Sequence, residues 1–172
     1  MFKHYRMLLT SAGALAAAGT LAVTGVTAAS AMPAAPAGAA SSGTLHVQLI
    51  STSATSSTAK AIVFGVFTAG GVDHQGNKVD RLVFKGGSFK VRHSPGKGPQ
   101  TFNPKTCLLT VNQHGTYRIF GGTGKFKGIS GHGTYRVSIL SIAARNSSGK
   151  CSMRKAPTAF QQVIRASGPA RL

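Results

Sequence analysis

Two carboxylates, six histidines and two cysteines are the chain's main resources for chemistry, and glutamate is absent. Acid–base work by paired carboxylates must therefore use Asp73 and Asp80. Asp73 lies in Gly-Gly-Val-Asp-His-Gln-Gly-Asn, where aspartate is an ordinary turn former. Asp80 begins an alternating segment beside Arg81, and two roles are open to it. It is either an ion-pair partner or a base or orienting group at the mouth of a barrel. Five histidines follow the N-terminal leader described below: His46, His74, His93, His114 and His132. None stands in a His-x-His or His-Glu-x-x-His arrangement, so no metal site is spelled and no cofactor is called for. His93 shares the register of Phe89 and Val91, which turns it inward near a strand end. There it is either an internally satisfied histidine or an acid–base or metal-binding group. Tyr135 joins Asp80 and His93 as a candidate for catalysis in a cavity.

Other motifs fail. No serine has a Gly-x-Ser-x-Gly setting; the nearest, Gly86-Gly87-Ser88-Phe89-Lys90, ends in lysine. Gly121 to Val137 reads GGTGKFKGISGHGTYRV, which resembles a phosphate loop at first sight. A P-loop needs Gly at 119 and Ser or Thr at 126, where this chain has Ile119 and Phe126. A dinucleotide fingerprint needs Gly at 127, which is Lys, and a helix beyond, where a strand pattern follows. The stretch reads as a connection in which Phe126 and Ile129 plug a barrel end beneath a glycine turn.

The first 31 of the 172 residues are leader-like. Lys3, His4 and Arg6 precede an Ala-, Leu- and Val-rich run that ends at Ala-Ser-Ala, the pattern of a cleaved secretory signal. Residues 32–43 are small and Pro-containing, a flexible linker. Residues 44–172 form one domain, with no membrane span once the signal is removed. In an exported chain Cys107 and Cys151, 44 positions apart, are expected to pair. Without Lys3 and Arg6, 18 Lys and Arg oppose two Asp, a net charge of +16. Such a surface attracts polyanions: wall polymers, DNA or anionic lipid. The chain has no Trp, so a stacking platform for nucleic-acid bases has little support. Asn146-Ser147-Ser148 spells a glycosylation sequon.

These residues must be positioned by strands. From residue 44 the apolar period is two, with Gly, Pro, Asn and Ser clusters between runs. Eight strands are predicted: 44–51, 60–69, 79–85, 87–93, 106–113, 115–120, 132–143 and 158–167. The segment Ala-Lys-Ala-Ile-Val-Phe-Gly-Val-Phe-Thr-Ala is apolar on both faces, which predicts a central strand. Short strands at this spacing make an all-β barrel or sandwich.

The segments GGTGKFKGISGHGTY, FNPKTCLLTVNQHGTY, SILSIAARNSSGKCS and AFQQVIRASG resemble the allene oxide cyclase and dirigent superfamily, in particular its exported bacterial relatives. The resemblance spans nearly all of residues 44–172. It implies an eight-stranded antiparallel barrel of calycin type and allows an oligomer. It assigns no reaction, since plant dirigent proteins guide radical coupling and the cyclases close an epoxide. An eight-stranded barrel is either filled or holds one small ligand. The expected lining is Leu45, Val47, Phe64, Phe89, Val91, Tyr117, Tyr135, Val137 and Phe160. The sequence thus predicts a secreted, basic barrel that binds a small apolar ligand and anionic polymers. An isomerase or cyclase acting in the barrel, or a basic effector against membranes, is the alternative.

Overall fold

The computed structural model describes residues 41–172, so the leader and nearly all of the linker lie outside the described residues. The strands are β1 (Ser42–Ser51), β2 (Thr58–Gly65), β3 (Ala69–His74), β4 (Val79–Phe84), β5 (Gly87–His93), β6 (Gln100–Asn103), β7 (Leu108–Phe120), β8 (Ser130–Ile142), β9 (Ala144–Arg145), β10 (Cys151–Ser152) and β11 (Ala159–Arg171). One sheet runs β5-β4-β3-β2-β1-β11-β8-β7-β6, and β5 also pairs with β7. That pairing joins residues 90–93 to 117–120 and closes an antiparallel barrel of eight strands: β1 to β5, β7, β8 and β11. β6 lies outside the closure, on the first part of β7.

The count of eight matches the expectation, but two strands differ from it. The segments 106–113 and 115–120 are one continuous strand, β7. Gly115 does not turn the chain there: a Cβ on it would lie 2.6 Å from the Tyr135 ring, so its bareness admits that ring. Conversely, Gly70 and Gly71 belong to a strand, β3, that reads as a loop in the sequence. A Cβ on Gly71 would meet the Phe84 ring at 2.6 Å. At both places glycine marks close packing, not a turn. Asp73 is accordingly no turn residue; it is fully buried in β3. β2 has neighbours on both sides, yet Ile62 and Phe64 on its outer face are about half exposed.

The glycine stretch after β7 closes one end of the barrel. Gly124, at φ +57°, opens a 3-10 turn through Phe126. The amides of Thr123, Lys125, Phe126 and Ile129 donate to Ser88, Gly86, Thr123 and Phe126 carbonyls at 2.8–3.0 Å. A phosphate cradle needs free amides; these are spent on the fold. Phe126 is buried against Phe67, Phe84 and Phe89, with ring centroids 4.9–5.7 Å apart. Ile129 is buried beside it.

Cys107 and Cys151 form a disulfide that ties the β9–β10 hairpin to the start of β7. The sequon is a turn device in this hairpin: Asn146 Oδ1 accepts from the amides of Ser148 (3.1 Å) and Lys150 (2.9 Å).

Candidate functional site

Above the phenylalanine plug the barrel encloses a cavity of about 80 Å³, walled by Val47, Leu49, Leu82, Val91, His93, Tyr117, Ile119, Tyr135, Ile164 and Ala166. That volume exceeds the 10–15 Å³ or so needed to hold one water. Alternation sends these side chains inward from β1, β4, β5, β7, β8 and β11. Of the expected lining, Val47, Val91, Tyr117 and Tyr135 are in the wall. Leu45 and Phe89 are fully buried in the core outside that wall, and Val137 packs against the core. Phe64 is a correction: it is 47% exposed on the outer face and stacks on His46, centroids 4.8 Å apart. A strand apolar on both faces gave no parity by which to orient it. Phe160 is a second correction: it is half-buried near the start of β11, outside the cavity wall. The wall also includes Leu49, Leu82, Ile119, Ile164 and Ala166, of which the alternation that turns Val47 and Tyr117 inward predicts Leu49 and Ile119.

The structure brings Asp80, His93 and Tyr135 together at the open mouth. Asp80 Oδ1 lies 3.5 Å from His93 Nε2 and accepts the Gly76 amide at 2.8 Å. The His93 ring stands edge-on to Tyr135, centroids 6.1 Å apart. Tyr135 Oη donates to the Ser94 carbonyl at 2.6 Å. Burial raises the Tyr135 hydroxyl above the ordinary phenol range; the Ser94 contact opposes this and Asp80 adds to it.

Asp73, which reads as a turn residue in the sequence, lies on β3 close enough to feel the charge of Asp80. Its carboxylate is fully buried, and neither oxygen has a hydrogen-bond partner. Burial, reinforced by the Asp80 charge, pushes it from 3.8 up to about 7. The Gln75 amide pulls the other way without closing a hydrogen bond, and its Nε2 donates instead to Gln162 Oε1 at 3.4 Å. A carboxyl held in such surroundings is a protonated donor through most of the acidic range. Tyr117 is the second unpartnered group: its hydroxyl is buried without a partner, and burial raises it above the phenol range.

No family model, curated protein or solved structure matches this chain. The chemistry available follows from the geometry. His93, with Nε2 toward Asp80 and Nδ1 3.4 Å from the Ser94 carbonyl, and Tyr117, whose buried hydroxyl has no partner, both belong to a wall that presents almost only apolar atoms to the cavity. A ligand that is mostly hydrocarbon with one oxygen suits such a wall. Among the described residues, no group of three or more His, Cys, Asp or Glu could hold a metal ion.

Proposed function

We propose that this chain is an exported barrel of binding type whose cavity takes a small apolar molecule bearing one carbonyl or hydroxyl group. The observation that carries the reading is the Tyr117 hydroxyl, buried without a partner on a side chain of the cavity wall. An unmade buried hydrogen bond costs about 1–3 kcal/mol, which a ligand oxygen there would recover. Export is supported by the leader pattern and the disulfide, a bond that persists in oxidising compartments. The resemblance to the allene oxide cyclase and dirigent superfamily belongs to this proposal, and the closed eight-stranded barrel is compatible with it.

The test is an NMR titration with cyclohexanone, a ring with one acceptor, against cyclohexane. Cyclohexanone should shift the methyl signals of Val47, Leu82 and Ile164, and Tyr117→Phe should reduce its affinity to that of the hydrocarbon. Equal affinity for the two probes in the wild type would refute the reading. Native mass spectrometry of protein recovered from medium should show a co-purifying molecule of this class.

The Asp80–His93 pair favours a second reading, isomerisation by proton transfer. His93 Nδ1, turned from the Ser94 carbonyl 3.4 Å away, would remove the proton α to a ligand carbonyl, Tyr117 would donate to the enolate oxygen, and the imidazolium would return a proton to carbon. In D₂O, cyclohexanone should then exchange its α-hydrogens faster with wild type than with His93→Ala. Equal rates would leave the barrel a binder alone.

A further inference from the structure

The outer face of the barrel sets basic side chains directly opposite one another. His74 faces Arg81, Arg81 faces Lys90, Arg92 faces Arg118, His114 faces Arg136 and Arg136 faces Arg165. Lys97, in the loop between β5 and β6, pairs with His114 through two backbone hydrogen bonds of 2.9 Å. Like charges in opposite strand positions destabilise a sheet. Neither Asp side chain offsets them from outside, because both point into the barrel. Some have other support: Arg81 donates to Ser88 Oγ at 3.4 Å, and Arg92 lies 5.3 Å over the Phe120 ring. Lys97, Arg136 and Arg165 have neither side-chain hydrogen bond nor ion pair among the described residues.

Lys97, His114, Arg136 and Arg165 are all exposed and form one transverse row. At about 4.8 Å per strand the row spans roughly 14 Å. It is flanked by a trough of about 680 Å³, with Asn112 and Ser138 in its wall, and by one of about 280 Å³ that includes Thr134 and Ser167. Arg136 and Arg165 belong to both.

We infer that this row is a docking site for a linear phosphodiester polymer without bases: a polyol-phosphate chain of the cell-wall kind, lying across the strands. Basic groups repeated along the row fit a repeating anion better than a single one. The amide and hydroxyl groups of the troughs suit a polyol's hydroxyls. Phe64, which shares a trough with Arg136 and Arg165, is already stacked on His46, so that ring offers bases one face at most. Export would bring the chain to such a polymer. This inference is independent of what fills the cavity.

The test uses the purified chain and fluorescently labelled poly(glycerol phosphate), titrated over a series of salt concentrations. Arg136→Gln/Arg165→Gln should weaken binding about tenfold and lower the log–log salt slope by roughly 1.4–1.8, the yield of two phosphate contacts. Arg81→Gln/Lys90→Gln removes the same charge elsewhere and should do clearly less. Arg136→Lys/Arg165→Lys should keep most of the binding, which separates lost charge from lost structure. Equal losses in the two glutamine variants would overturn the row in favour of diffuse attraction. Loss in the lysine variant would overturn it as well. Tighter binding of heparin, or of single-stranded DNA of equal charge, would overturn the choice of polymer.

Discussion

Asp73 and Asp80 enter the barrel from adjacent strands and sense each other: the charge on Asp80 helps hold the buried Asp73 carboxyl up at about 7. In a chain with 20 Lys and Arg, its two Asp side chains are spent inside. Because the folded value lies above the unfolded one, the folded state keeps a proton that the unfolded state releases from about pH 4 upward. Stability should therefore fall as pH rises from about 4 to 7, by roughly 4 kcal/mol at most, and level off above that window. Asp73→Asn should remove this component and be the more stable protein at pH 8. Urea unfolding of both proteins from pH 4 to 8 measures it, and parallel curves would refute it.

Gly115 and Tyr135 share one space. Gly115→Ala should push the ring aside, lengthen its hydrogen bond to Ser94 and cost about 1–3 kcal/mol. Tyr135→Phe, which removes the bond alone, should cost about 1 kcal/mol. Chemical denaturation ranks the two, and a larger cost for Tyr135→Phe would contradict the packing argument.

The disulfide closes a loop of sequence separation 44, which in the chain-entropy model contributes roughly 4 kcal/mol. Its reduction should lower the urea midpoint accordingly. Thiol labelling of the unreduced, denatured protein should find no free cysteine.

Arg136 bears an electrostatic cost against its cross-strand neighbour Arg165. Without polymer, Arg136→Gln should stabilise the protein by a few tenths of a kcal/mol or more. The gain should shrink at high salt, where exposed charges are screened. Thermal unfolding at two salt concentrations checks both statements.

Alternation alone placed most strands, because a half-buried strand writes its inward face into every second residue. Val47, Val91, Tyr117 and Tyr135 were legible as cavity wall for that reason. Glycine misled in both directions: its loop-forming reputation hid β3 and divided β7, where its role is to make room for Phe84 and Tyr135. Asp73 was lost with β3. Its near neighbours in sequence suit a turn, and its burial is created by β2 and β4, paired to it through Ala59 and Leu82. Asp80 and His93 could be named because each belongs to a clear strand pattern. Their 3.5 Å approach depends on the β4–β5 register, which the sequence does not state.

β6 is the strand of the described barrel sheet that has one neighbour, not two. It leaves the sheet an open edge, the kind of surface on which chains add to one another and aggregate. Three features blunt it. The strand is only four residues long, Pro99 and Pro104 stand on either side, and Lys97 and Lys105 lie just beyond. About half of its peptide groups already bond to β7, so an incoming strand would find roughly two residues to grip, between cations. The barrel can thus carry an extra strand at its rim without offering a template for fibres.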